Sequence, residues 1–503
     1  MSKVDALYDE LIADLKKAAI LSSISSLAGW DEQTYMPKGG VSHRSEQSSL
    51  LAGMLHERAT SARRGELIAA LEGSDLGDEF SVRRINIREA RRQYNKAVKL
   101  PQRLVEELSR VCSFAQQAWV EARKKKDYKT FEPWLEKVVA LKKEEAAAIG
   151  YKEAPYDALL DDYEPGATAS SIQKIFTPLR EELVKLVQQI GASRKRPDVS
   201  ILTRKYPVDA QKRFATEAAS KIGFNFDEGR LDETAHPFCS GIGPGDTRLT
   251  TRYDEHHFPG AFFGVLHEAG HGIYDQGTDR DAYGTPKGCA VSLGVHESQS
   301  RMWENFVGRS RAFWTYFFGD ARKAFPEALA STSLDDFHFA INDVRPSMIR
   351  VESDEVTYNL HIMLRFEIEQ ALTSGALNVK DVPSAWNEAF TRSFGITPKD
   401  DSEGCLQDIH WSFGGIGYFP TYSLGNMYAA QLFEAAARDL GDLHAQFAKG
   451  EFDPLRKWLN RQVHEPGQTY PPAKLIERIT GSPPSHEPLV AHLRAKFTPL
   501  YGL

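Results

Sequence analysis

Val4, Leu7, Leu11, Leu15 and Ala18 recur at intervals of three and four residues, which places them on one face of an amphipathic helix at the start of the chain. The same period returns through residues 40–125, 132–150 and 170–192, where Glu, Lys, Leu, Ala and Arg fill the intervening positions. These residues lose little side-chain freedom in a helix, so they support the same assignment. Short clusters rich in Gly and Pro interrupt the pattern at residues 37–40, 164–166, 241–245 and 414–417. One stretch differs. From Asp246 to Tyr253, threonines alternate with larger residues after a glycine-rich turn, which predicts a strand and one hairpin of a small sheet. The pattern thus predicts a mainly α chain with a small β element directly before a helix that opens near Pro259.

Composition narrows the function classes. At roughly 150 residues per domain, 503 residues suggest about three domains, but large helical enzymes can build one core over such a length. Hydrophobic residues at 41% and charged residues at 26% exclude a disordered, collagenous or disulfide-framework chain. A net charge of −7 opposes a general nucleic-acid binder, which needs a basic field to meet phosphates, and gives no support to a membrane surface. No apolar stretch approaches the ~18–20 residues that a bilayer requires. The first residues carry acids and lack an apolar core, so they read as neither secretory signal nor transit peptide. Cys112, Cys239, Cys289 and Cys405 are scattered without paired spacing, and those near the motifs below read as small buried residues. Together these features predict a reduced, cytoplasmic protein with no nucleic-acid or membrane partner. The basic run Arg123 to Lys126 falls at a predicted helix end with acids around it, which reads as a solvated face.

The main chemical signal is His267-Glu268-Ala269-Gly270-His271. On a helix, residues four apart lie about 40° from each other around the axis, so both imidazoles can reach one ion. Glu268 follows the first histidine and projects near the same place, where it can take a proton from an activated water. Pro259 suits a first helical turn, and Phe262, Leu266, Ala269 and Ile273 form a core stripe. The histidines fall on another face with Gly260 and Gly264, which would leave space above a metal. Catalytic zinc needs a third protein ligand and an open position. The HExxHxxGxxH pattern is absent, since Asp275, Gln276 and Gly277 occupy that stretch. The next helix, predicted from Val291 to about Phe317, offers Glu297 and, two turns further on the same face, Glu304; spacing leaves both open.

Six short motifs in order then resemble the carboxypeptidase Taq family of metallocarboxypeptidases. His236, Pro237 and Phe238 match HPF, and Asp246, Arg248 and Thr250 match DxRxT. The HExxH at His267 is followed by His296-Glu297-Ser298-Gln299. Ile349, Arg350, Ser353 and Asp354 form the fifth motif, and Gly404, Gln407, Asp408, His410 and Trp411 the sixth. Trp30-Asp31 and Met36-Pro37 also look familial. The resemblance implies one catalytic unit over residues 1–503, with a helical part to about residue 195 forming a groove wall and the catalytic motifs at 236–422. It implies a mainly α fold with a deep groove and a small sheet beside the zinc, similar in outline to angiotensin-converting enzyme and neurolysin. It also implies removal of single C-terminal residues from peptides with broad specificity. Zn²⁺, replaceable by Co²⁺, is the implied cofactor, a homodimer the implied assembly, and Glu297 the implied third ligand.

The motifs also have physical readings. A carboxypeptidase must recognise a free carboxylate, and the planar fork of Arg350 suits that task. The plainer reading of Arg350 is an ion pair with Glu352, Asp354 or another acid. By analogy with related zinc peptidases, His410 and either Tyr418 or Tyr422, following a glycine-rich loop, would donate to an oxyanion, with Tyr422 preferred and core packing the plainer account of either tyrosine. His236 and Arg248 are substrate-side candidates for which a structural role is as good an account. A dipeptidyl carboxypeptidase or oligoendopeptidase on the same site is the alternative enzyme. A helical binding protein with a vestigial motif is opposed by the intact ligands and Glu268.

Overall fold

The side chain of Ser2 accepts the Asp5 N–H while the Asp5 carboxylate accepts the Ser2 N–H, a reciprocal cap that starts α1 (Lys3–Thr34). In this computed structural model residues 2–234 and 237–503 are described. The periodic stretch at 40–125 resolves into α2 (Val41–Ala59), α3 (Ala62–Glu72), α4 (Val82–Lys99) and α5 (Gln102–Lys125). Ser61 and Ser81 divide it by capping the next helix in each case. The basic run lies at the end of α5, as expected. Lys125 pairs with Glu121, Lys126 with Asp400, and Arg123 stacks over Trp119. There follow α6 (Glu132–Ile149), α7 (Pro155–Leu160), α8 (Ala169–Ala192) and α9 (Val208–Ile222).

The β element is a three-stranded sheet of β1 (Gly229–Glu233), β2 (Cys239–Gly243) and β3 (Asp246–Thr251) in the order β1-β3-β2. The predicted strand is β3, one residue pair shorter at its end than the sequence pattern suggests. It forms an antiparallel hairpin with β2 across a turn at Gly245, whose φ of +81° suits glycine, and pairs in parallel with β1. Its Leu249, Thr250 and Thr251 are fully buried.

After the sheet come α10 (Phe258–Gln276), α11 (Leu293–Arg301), α12 (Arg311–Ala324), α13 (Pro326–Leu329), α14 (Leu334–Ile341), α15 (Tyr358–Ser374), α16 (Val382–Phe394) and α17 (Pro420–Leu440). The chain ends with α18 (Leu443–Phe447), α19 (Asp453–Leu459), α20 (Pro472–Thr480) and α21 (Glu487–Tyr501). The single helix expected from Val291 to Phe317 is in fact two. α11 widens into π-helical turns at Met302–Gly308, and Ser310 then caps α12. The apolar residues Met302, Trp303, Phe306 and Val307 are buried through the break, so the hydrophobic period did not register it.

Two glycines bring α10, α11 and α17 together. A Cβ on Gly270 would lie 2.5 Å from the Gln299 carbonyl oxygen, and one on Gly425 would lie 2.5 Å from Cγ of Glu297. α11 is therefore clasped between α10 and α17 at the level of Glu297. The core has two parts. A large cluster runs from α5 to α21. A smaller one is built by Leu11 and Leu15 of α1 with Leu67, Ile68, Leu71, Leu76, Ile87 and Ala90. Polar contacts tie the smaller part to the larger: Tyr35 donates to Asp232 at 2.6 Å, Arg88 to the Gln468 carbonyl at 2.8 Å, and the Lys287 N–H to Asn86 at 3.0 Å. Among the described residues no helix is long and apolar enough to cross a membrane.

Candidate active site

Pro259 occupies the first turn of α10, and Phe262, Leu266, Ala269 and Ile273 point into the core at 4% exposure or less. That buried stripe fixes the rotation of the helix, so His267 and His271 emerge together on another face. The expected open glycine surface holds at Gly264, where an added Cβ would make only ordinary contact with Thr251. It fails at Gly260, whose space is taken by the ring of His257, 2.5 Å from a Cβ there.

Nε2 of His267 and Nε2 of His271 lie 3.7 and 3.5 Å from Oε2 of Glu297. The three donor atoms all fall within 4.8 Å of one another. Two imidazoles and one carboxylate converging in this way fit a divalent ion of the zinc type. Glu304, the competing acid, also faces His267, but on the ring's other nitrogen: its Oε2 is 2.9 Å from Nδ1. On the second histidine, Nδ1 of His271 is 2.5 Å from Nδ1 of His296, and Nε2 of His296 is 2.9 Å from Asp275. Arg301 donates to Glu297 at 2.6 Å and to Glu304 at 3.2 Å, and Ser300 donates to Glu297 at 3.0 Å.

Electrostatics follow from this packing. Burial would raise the Glu297 carboxyl, but Arg301 and His267 outweigh it and hold the group well below the usual carboxylate range. Burial pushes His271 down to about 4, which keeps it neutral. His267 is pulled the other way, because Glu297 and Glu304 outweigh burial. Two carboxylates around one imidazole make the spot attractive to positive charge. Glu268 is 7% exposed, and burial pushes its carboxyl up to about 7, against the pull of His267.

A second cluster lies beyond Tyr358. Arg301 stacks 4.3 Å from the Tyr358 ring centroid, and the Tyr358 hydroxyl accepts from Nη1 of Arg350 at 2.9 Å. Arg350 is buried, and its Nε and Nη2 donate to Oδ1 of Asp408 at 3.0 and 2.8 Å. Its partner is thus neither Glu352 nor Asp354. Arg365 donates to the other oxygen of Asp408 at 2.7 Å. Two guanidiniums share one carboxylate, so the pocket retains a surplus positive charge. They outweigh burial and hold Asp408 well below its usual range.

The Arg350 guanidinium also lies 5.0 Å from the ring of Tyr422. The Tyr422 hydroxyl and Nε2 of His410 are 3.2 Å apart. Burial drives His410 down to about 3, so it is neutral, and raises Tyr418 to about 12 and Tyr422 further, so both keep their protons. Glu369 anchors the loop that carries these groups. It accepts from Tyr156 at 2.8 Å, Trp411 at 2.9 Å and the Gly417 N–H at 3.0 Å. Gly417 has a φ of +98°.

The other expected residues are placed differently. Arg248 grips Asp246 at 2.8 Å with both Nε and Nη2 and stacks 4.3 Å from Trp30, so its contacts are with its own strand and α1. His236 lies outside the described residues. Cys405 is buried and Cys239 partly so, but Cys289 is exposed, contrary to the expectation that it is buried. Sequence reasoning gave no role to His296, Asp275, Arg301, Tyr358, Asp408 or Arg365. His296 and Asp408 stood inside recognised motifs, which was a usable signal; Arg301 and Tyr358 carried none. A cavity of about 640 Å³ opens at the end of α10 between Gln276, Arg280, Lys287 and Arg461, and none of the described candidate residues lines it.

A family profile described as carboxypeptidase Taq (M32) metallopeptidase matches residues 10–497. Thermostable carboxypeptidase 1 of Thermus thermophilus is 49% identical over 99% of both chains, and carboxypeptidase 1 of Bacillus subtilis is 42% identical over 99% of both. The crystal structure of an M32 carboxypeptidase from Deinococcus radiodurans superposes with a TM-score of 0.96 at 38% identity, covering 99% of this chain and 100% of that one.

Proposed function

Because the chain belongs to the carboxypeptidase Taq (M32) family, and is thereby a metallocarboxypeptidase acting on peptides, we propose that His267, His271 and Glu297 hold one zinc ion and that Glu268 is the general base. The observation that carries this reading is the convergence of the three donor atoms within 4.8 Å, with a buried glutamate next to the first histidine. A zinc ion so held would supply Lewis-acid polarisation and lower the pKa of water. The chain's own groups do the rest. Glu268, poised near neutrality, takes the proton of the attacking water and passes it to the leaving amine. His410 and Tyr422, neutral and protonated, donate to the oxygen on which charge develops. Arg350, with Asp408 shared between it and Arg365, offers the surplus charge for a terminal carboxylate. His236 and Arg248 remain substrate-side candidates, and Tyr418 the alternative hydroxyl donor.

Co²⁺ in place of Zn²⁺, a homodimer, a cytoplasmic location and a groove wall formed by the helices to about residue 195 complete the proposal. The family resemblance supports the cobalt, homodimer and groove-wall readings, and the scattered cysteines support the location. The decisive experiment digests one unstructured peptide and reads the products by mass spectrometry. A ladder of single-residue losses from the C-terminus, abolished by chelator and restored by added Zn²⁺, is expected. Dipeptide steps or internal cuts would favour the dipeptidyl or endopeptidase alternative. Full activity in a preparation free of metal would overturn the metal assignment.

A further inference from the structure

The two histidines that face the metal position are backed in different ways. Nδ1 of His267 meets the Glu304 carboxylate directly at 2.9 Å. A carboxylate only accepts, so the proton is fixed on Nδ1 and the Nε2 lone pair is left facing the ion. Nδ1 of His271 instead meets another imidazole nitrogen, Nδ1 of His296, at 2.5 Å. Two such nitrogens share a single proton, and on their own either could carry it. If His296 carried it, His271 would need its lone pair on Nδ1 and its proton on Nε2, where it would point at the metal. Something must break the symmetry.

We infer that Asp275, acting through His296, sets the tautomer of His271 and so makes its Nε2 available as a ligand. The Asp275 carboxylate lies 2.9 Å from Nε2 of His296 and accepts its proton-bearing edge. With its proton held on Nε2 by Asp275, His296 presents a lone pair on Nδ1 to His271. His271 is obliged to donate Nδ1–H to it, and its Nε2 is left unprotonated. The placement follows from the elements. Asp275 stands four residues beyond His271 on α10, one turn along the same face. The His296 ring comes from α11 and sits between the two, its centroid 4.6 Å from that of His271 and 5.0 Å from that of Tyr274. The functional pattern on α10 is therefore His267, His271, Asp275, with a gap that α11 fills. Asp275 and His296 are positioning residues. This inference rests on the proposed metal ligands, but its measurement is metal affinity, not turnover.

The test uses the full chain and Zn²⁺ competition against a chromophoric chelator, with the melting temperature of each metal-free chain as the control for folding. Asp275→Asn offers an amide that can donate to His296 and flip its tautomer. It is expected to weaken Zn²⁺ binding by about 10- to 100-fold, the usual effect of losing a partner of a ligating histidine. His296→Leu should weaken it by a similar factor. Because Asp275 acts only through His296, adding Asp275→Asn to His296→Leu should change the affinity by less than about threefold. Metal-free melting temperatures should stay within about 2 °C of the native chain. The relay is overturned if Asp275→Asn leaves affinity unchanged, if the two losses multiply in the double variant, or if each loss is matched by a fall in metal-free stability. Should His296→Leu not fold, His296→Asn serves instead. Its shorter amide stands near the place of Nδ1, accepts from His271 and falls short of Asp275, so Asp275→Asn should cost less than about threefold in that background, and a full tenfold loss there would overturn the inference. If the proposed ligand set is itself mistaken, His271→Ala will leave Zn²⁺ affinity intact, an outcome distinct from any of these.

Discussion

A histidine has two nitrogens, and residue spacing does not say which of them an acid will meet. Glu297 and Glu304 stand two turns apart on one face, and both reach the imidazoles of α10. Spacing leaves both open and the family resemblance favours Glu297; the structure puts Glu297 at the Nε2 edges and Glu304 at Nδ1 of His267. The HExxH histidines were legible because helix geometry fixes them locally. Asp408 as the partner of Arg350 was not, because 58 residues separate them and no local rule links the two. At this scale Glu268→Gln is expected to keep its metal and lose about 10²–10⁴ in kcat, since an amide cannot take up the proton. Metal analysis alongside steady-state kinetics checks both halves, and near-normal turnover would remove Glu268 from the chemistry. Arg350→Ala leaves Asp408 paired with Arg365 but removes the surplus charge. It should lower kcat/KM on free-acid peptides by roughly 30- to several-thousand-fold. A C-terminally amidated peptide, already a poor substrate, should lose little more. Equal losses on both peptides would return Arg350 to a purely structural ion pair.

The helices themselves were legible wherever a charged or polar residue interrupted the apolar period, and the small sheet was legible from its threonines. The break between α11 and α12 was hidden because the π-helical turns stay apolar and buried. The loop from His410 to Gly417 shows how an irregular element is held. Its anchor, Glu369 of α15, is fully buried, and burial pushes its carboxyl up to about 7. An unfolded glutamate titrates near 4.3, so the folded chain holds this proton more tightly than the unfolded one. Stability from this group is therefore full below about pH 4 and is lost as pH rises toward about 7, by on the order of a few kcal/mol. Glu369→Gln cannot titrate. Urea unfolding at pH 5 and pH 8 should show a smaller loss between the two for the variant than for the native chain. An identical loss would mean that Glu369 is already ionised in the folded state.

Across the whole molecule, the His267–His271–Glu297 cluster and the Arg350–Asp408 cluster come together because α10, α11, α15 and α17 share the large core. Family membership was legible from the order of the six motifs. The division of the core was not, since the apolar period is the same on both sides of it. That division has a kinetic consequence. α1, α3 and α4 close around eight buried apolar residues of their own, and α2 adds none. This unit is joined to the rest by hydrogen bonds, by ion pairs of Arg92 and Lys96 with Asp161 and Asp162, and by the stacking of Arg248 on Trp30, which together cost less to break than parting the large core, so the unit is expected to open on its own. Amide hydrogens of α1 to α4 should exchange with deuterium well before those of α10 and α15, as read by peptide mass spectrometry. Matching exchange rates would make the chain one cooperative block. His267, Glu268, His271 and Glu297 of the proposed metal site lie on α10 and α11, in the part expected to exchange slowly, so the site would stay assembled while the N-terminal unit breathes.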